Sequence, residues 1–142
     1  MRDPRSVYPE IGEEAFHDLT RTFYAGVAND PLLRPLYPEE DLEGARQRLT
    51  SFLIQFFGGP PTYSMERGHP RLRMRHLPFR IDGAARDAWV THMRTGLDRL
   101  DLAADVRETM DRYFEDAATF LINTDRAAHP LGVVRAEELR HG

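Results

Sequence analysis

Ten prolines decide most of what this 142-residue chain can fold into, because a proline inside a helix removes a donor and collides with the preceding turn. They fall at 4, 9, 31, 35, 38, 60, 61, 70, 78 and 130, leaving three long proline-free spans, 10–30, 39–59 and 79–129. Each span carries a helical period. In the first, Phe16, Leu19, Phe23 and Val27 recur at i+3 and i+4, and "ANDP" stops the pattern at Asn29. The second opens on acidic "EED", favourable beside a helix N-terminus, and ends at "GGPP". It aligns Leu42, Ala45, Leu49, Phe52, Leu53 and Phe56 on one face. The third is too long for one globular helix and is expected to break near "LDRLDLA". Asp82 is expected to cap a first part with Trp89, Met93 and Leu97. Asp101 would cap a second with Val106, Met110, Tyr113, Ala117 and Phe120 or Leu121. No stretch alternates as a strand. The expected fold class is all-α, with five or six helices in one domain and an irregular stretch over 58–81.

Composition narrows the function. A net charge of −4 argues against general nucleic-acid binding, since phosphate contacts dominate that affinity. With no cysteine, disulfides, thiolate metal sites and thiol nucleophiles are excluded. No apolar run reaches membrane-spanning length and the N-terminal "MRDPRSVYPE" is too charged for a signal peptide, so a cytoplasmic protein is expected. There is no GxSxG, no HExxH, no phosphate loop and no dinucleotide pattern.

The segment "HPRLRMRHLPFRI" (69–81) is the oddity. Arginines 71, 73, 75 and 80 surround His76, interleaved with Leu72, Met74, Leu77 and Phe79. A solvated basic loop is the ordinary reading of such a segment. The sharper one is a site for a ligand with anionic groups, an apolar body and a metal: guanidinium groups meet carboxylates bidentately, and a single histidine suffices to bind a haem iron. A bare zinc ion would want three or four protein ligands, and no paired-histidine spacing supplies them. Tyr24, Tyr37 and Trp89 have polar tips that need partners when buried, and together they would suit a ligand that becomes partly anionic. A haem-free helical module that holds an anionic partner through the arginine loop is the alternative.

These residues carry a resemblance. "FYAGVANDPLLRPLYPEEDL" (23–42), "GGPPTYSMERGHPRLRMRHLPFRI" (58–81) and "RDAWVTHM" (86–93), in this order, resemble the group II truncated haemoglobins, bacterial globins with a shortened two-over-two fold. The likeness spans about 8–125. It implies a globin domain over 1–126 and a C-terminal extension over 127–142. It further implies haem b as cofactor, with His76 as the iron ligand. Tyr24, Tyr37 and Trp89 would hydrogen-bond the iron's ligand on the distal side. Ala45 takes the position of the distal histidine of myoglobin-like proteins, with Leu49 one turn on in the ligand pocket. Arg48, Tyr63 and Arg75 would meet the propionates, and Phe52, Phe79, Ile81 and Met93 would pack on the ring. Two departures stand out: only Gly12 replaces a common glycine pair near the start, and "FFGG" replaces a more usual Tyr-Trp pair.

The resemblance implies binding of O₂, carbon monoxide and nitric oxide at a five-coordinate iron. Several donors aimed at bound O₂ imply slow release, hence redox chemistry such as nitric oxide dioxygenation or peroxidase-type oxidation rather than simple delivery. Either reaction needs an outside reductase or reductant, because the chain has no flavin or nicotinamide motif.

Overall fold

The computed structural model describes residues 2–38, 40–71 and 81–123. Among them are six α-helices and no strand. We label the helices α1 (Val7–Ile11), α2 (Glu13–Val27), α3 (Glu43–Phe56), α4 (Thr62–Arg67), α5 (Gly83–Asp98) and α6 (Ala104–Phe120). Short 3-10 turns occupy Pro4–Ser6 and Arg34–Leu36.

Two helix pairs stack on one another. Thr20 faces Thr50 and Tyr24 faces Ala45, so α3 runs back along α2. Arg86 meets Thr119, Arg94 meets Asp111, and Asp98 meets Arg107: partner numbers rise on α5 as they fall on α6, which fixes that pair as antiparallel. The most extensive packing joins the pairs through α2 and α5. Small residues allow that close approach. A Cβ at Gly96 would lie 2.7 Å from Leu19 Cδ1 and 3.0 Å from its carbonyl oxygen, and one at Gly26 would overlap the His92 ring. This is the two-over-two arrangement that the resemblance implies.

Phe16, Leu19, Phe23 and Val27 are all fully buried, as their spacing predicts. Asp82 caps α5, its carboxylate accepting from Ala85 N at 2.9 Å. The long third span does break where expected, between Asp98 and Ala104.

Several expectations are corrected. The first span is two helices: Gly12, at φ +83°, ends α1 in a conformation that disfavours side-chain residues, and α2 starts afresh. Pro9 is tolerated within α1 because N–H groups of a first turn have no intrahelical partner. Helix α3 starts at Glu43 rather than in "EED", with Asp41 accepting from Glu43 N at 3.0 Å. Ala103, not Asp101, caps α6, and no side chain bonds there. The stretch 58–81 is not wholly irregular. It contains α4, which Gln55 docks onto α3 by receiving Ser64 N at 2.8 Å and donating to Ser64 Oγ at 2.7 Å. On α6 the core face runs through Phe114 and Ala118, leaving Tyr113 and Ala117 half-buried and Phe120 56% exposed. No described helix is long and apolar enough to cross a membrane.

Candidate functional site

Tyr24 lies in the last turns of α2, one residue from the Phe23 stripe and just before the chain leaves the helix. Its ring is buried, and its hydroxyl donates to the Ala45 carbonyl at 3.4 Å, a long bond that tethers the phenol to the first turn of α3. The half-buried Tyr37 meets Tyr24 edge-on, ring centroids 5.6 Å apart at 79°. Phe23 touches Tyr24 at 4.9 Å on one side and Trp89, on α5, at 5.3 Å on the other. The three distal candidates, far apart in sequence, thus form one run of ring contacts through Phe23. Edge-on packing of this kind locks the rings beyond what area burial alone achieves.

Around them, Ala45, Leu49 and Phe52 follow at i, i+4 and i+7 on α3. Phe52 is buried and holds the ring of Tyr63, also buried, at 5.4 Å and 74°. Met93, one turn beyond Trp89 on α5, is fully buried in the core. Arg48 is half-buried, its guanidinium lying back along α3 near Gly44. Ile81 is half-buried and clamped by Asn123: Ile81 N donates to Asn123 Oδ1 and Asn123 N to Ile81 O, both at 2.9 Å. His76, Arg75 and Phe79, with the rest of the arginine segment after Arg71, lie outside the described residues, as does the extension over 127–142.

Do these residues suit a haem? Leu49, Ile81 and Trp89 are large apolar side chains that pack on the core yet stay only half-covered. Apolar area of that kind is what a porphyrin would cover. The donor set fits as well, with two phenols and an indole close to it and no carboxylate among the site candidates. A groove of about 360 Å³ between Glu10, Asp18, Leu100 and Asp101 shares no residue with this face, so we do not place the chemistry there.

The sequence reading missed what holds Tyr37 in place. Arg34 donates from its two terminal nitrogens to the carbonyls of Tyr37 at 2.8 Å and Glu40 at 2.9 Å. Asp30 Oδ2 lies 2.6 Å from His92 Nε2 and its Oδ1 accepts from Leu32 N at 2.8 Å. These contacts hold the Asp30 carboxyl below the ordinary carboxylate range, chiefly through the His92 hydrogen bond. No local pattern signals a pair 62 residues apart.

The model of the bacterial-like globin family matches residues 6–123. A group 2 truncated haemoglobin of Bacillus subtilis is 42% identical over 84% of this chain and 90% of its own length. Among solved structures, a thermostable haemoglobin from the actinobacterium Thermobifida fusca is 53% identical, covering 83% of this chain and 97% of its own with a TM-score of 0.81. The truncated oxygen-avid haemoglobin from Bacillus subtilis is 42% identical, covering 82% of this chain and 98% of its own with a TM-score of 0.78. The chain belongs to the bacterial-like globin family and, within it, to the group II truncated haemoglobins.

Proposed function

We propose that this globin, which by its family takes a haem and binds diatomic gases such as O₂, retains O₂ tightly and uses it in redox chemistry rather than delivering it. The observation that carries this reading is the run of ring contacts Tyr37–Tyr24–Phe23–Trp89, which packs three polar-tipped side chains together. The oxygen-avid description of the Bacillus subtilis relative points the same way.

A haem, of the b type in this proposal, would supply when bound an iron able to take a diatomic gas and share electron density with it. Tyr37, and Tyr24 once its hydroxyl turns from the Ala45 carbonyl, would donate O–H, and Trp89 N–H, to the atom where that density collects. Hydrogen bonds to a charged group contribute roughly 1.5–3 kcal/mol each, so two well-aligned ones slow release by about a hundredfold or more. Ala45 would leave space at the pocket mouth that a histidine would fill, and Leu49 would exclude water beside the donors. His76 would be the protein ligand of the iron. Arg75, Arg48 and Tyr63 would meet the propionates, while Phe52, Phe79, Ile81 and Met93 would pack against the ring.

Nitric oxide mixed with the O₂-loaded protein would be oxidised to nitrate, leaving ferric protein that a reductase or small reductant must restore; peroxide-driven oxidation is the second reaction such a site suits. A globin domain over 1–126, its extension over 127–142 and a cytoplasmic setting complete the proposal. The decisive experiment is anaerobic stopped-flow mixing of the O₂-loaded protein with nitric oxide, with nitrate measured. Stoichiometric nitrate at each turnover supports it; release of O₂ before any reaction, with no nitrate, sinks it. Trp89→Phe should raise the O₂ dissociation rate about tenfold, the equivalent of one such bond. An unchanged rate would remove Trp89 from the donor set.

A further inference from the structure

Two of the three proposed donors sit on long helices, Tyr24 on α2 and Trp89 on α5, but Tyr37 lies on the connection between a 3-10 turn and α3. A hydroxyl carried by a connection holds a useful aim only if something fixes its backbone, since hydrogen bonds weaken steeply as their angle opens. We propose that Asp30, His92 and Arg34 form a clamp that positions Tyr37 against the helix bearing Trp89. The inference rests on the reading of Tyr37 as a ligand donor and adds the residues that aim it.

The contacts form an unbroken path. His92 stands three residues after Trp89 on α5, its ring 6.5 Å from Phe23 at 83° and seated on Gly26, where a Cβ would have no room. From there the path crosses to α2's exit through the 2.6 Å contact with Asp30, whose side chain is only 15% exposed. The Asp30 carboxylate, through Oδ1, accepts from Leu32 N at 2.8 Å, and the Asp30 main-chain carbonyl accepts from Arg34 N at 2.8 Å, so the anchored residue sets where Arg34 starts. The Arg34 guanidinium then spans the connection and holds the carbonyls of Tyr37 and Glu40, at 2.8 and 2.9 Å. A planar fork with two acceptors leaves that backbone little freedom. Tyr37, held at its main chain, can then lay its ring edge-on to Tyr24. Both ends of the clamp meet the Phe23 ring system, so α2, α5 and the connection keep one geometry. Misplacement by about 1 Å is enough to lose a large part of a positioned group's effect.

The test is a double-mutant cycle on the haem-loaded protein, read by the carbon monoxide dissociation rate and by the C–O stretching frequency of the bound gas, which senses the donors' field. Arg34→Met should raise the dissociation rate about fivefold to tenfold and shift the stretch, whereas in a Tyr37→Phe background the same change should move the rate less than about twofold. His92→Leu should act likewise, and His92→Gln, whose amide can still donate to Asp30, should restore most of the parent behaviour. Arg34→Lys, which keeps one donor and the charge, covers the case in which Arg34→Met does not fold. Equal effects in both backgrounds would show general loosening and overturn the clamp. If Tyr37→Phe moves the rate and the stretch while Arg34 and His92 variants leave both unchanged, the clamp fails and the donor reading stands. If Tyr37→Phe itself has no effect, both fall.

Discussion

The seam between α2 and α3 and the seam between α5 and α6 join helices in the same antiparallel sense, but with opposite chemistry. Across the first, Thr20 and Thr50 share a hydrogen bond of 2.6 Å with both side chains buried. Across the second, Arg94 reaches Asp111 and Glu115, each at 2.7 Å, and Arg107 meets Asp98 at 2.7 Å, all near the surface. Beneath those charges lie Val106, Met110 and Phe114, all buried. Burial pushes the neighbouring Tyr113 phenol up to about 12, and its ring stacks on Phe56 at 4.0 Å. The distance between donor and acceptor says little about worth. A bond broken in the interior strands a polar atom, while one broken at the surface is remade to water. The α5–α6 seam should therefore depend on its rings, and the α2–α3 seam on its hydroxyls.

Removing Phe114 is the largest expected blow. Its ring meets Trp89 at 5.9 Å, Phe57 at 6.0 Å and Tyr113 at 5.6 Å, and it is 1% exposed. Phe114→Ala should cost about 3–5 kcal/mol in urea unfolding, the range for a large aromatic deleted from a packed core. A loss below about 2 kcal/mol would mean that the surface charges carry more of that seam than the comparison allows.

The α2–α5 contact lies between these extremes, since Asp30 and His92 are charged or polar yet mostly covered. Asp30→Asn should cost roughly 1.5–3 kcal/mol at neutral pH, as expected of a hydrogen bond to a charged group. Because folding lowers the Asp30 pKa from 3.8, its stabilisation is complete above about pH 4 and disappears as pH falls through the lowered value. The parent's advantage over Asp30→Asn should thus shrink below about pH 4, measured as the difference in urea midpoints at pH 7 and pH 3. A difference independent of pH would mean that the carboxylate's charge plays no part.

Next in size is Thr50→Val, at about 1–2 kcal/mol. Thr20 keeps alternative acceptors in Phe16 O and His17 O, both at 3.2 Å, which limits the damage. Replacing both threonines by valine should cost less than the sum of the two single changes, because no hydroxyl is then stranded. Simple additivity would place the α2–α3 seam in the same class as the surface ion pairs.

Some of this was legible in the residues and some was not, for reasons that recur. The stripe Phe16, Leu19, Phe23, Val27 reads correctly because α2 is long and its polar face is unambiguous. On α6, "YFEDAATF" offers apolar residues at adjacent positions, 113 with 114 and 117 with 118, and periodicity cannot choose between them. Packing against Trp89 chose Phe114. Helix α4 has six residues, too few to show a period. For the site, the residue types at 24, 37 and 89 pointed to a polar-lined pocket, but their convergence depends on how closely Gly26 and Gly96 let α2 and α5 approach. That approach, like the Asp30–His92 bridge, exists only once the chain is folded.

The smallest effect is the sharpest check on the comparison. Arg94 makes the best-connected ion pairs of the α5–α6 seam, with Asp111 and Glu115 both at 2.7 Å, so distance alone would rank it beside Thr20–Thr50. Its side chain is 42% exposed, and its partners are 30% and 48% exposed, so water and salt screen the attraction and ordering the long side chain offsets part of what remains. Arg94→Met keeps most of the aliphatic stem over the seam and removes only the charge. It should cost less than about 1 kcal/mol in urea unfolding, and the cost should fall further when ionic strength is raised from about 0.01 M to 1 M, where the screening length drops to about 3 Å. A loss of about 2 kcal/mol that persists at high salt would show a desolvated network there, and the difference between the two seams would then be one of degree and not of kind.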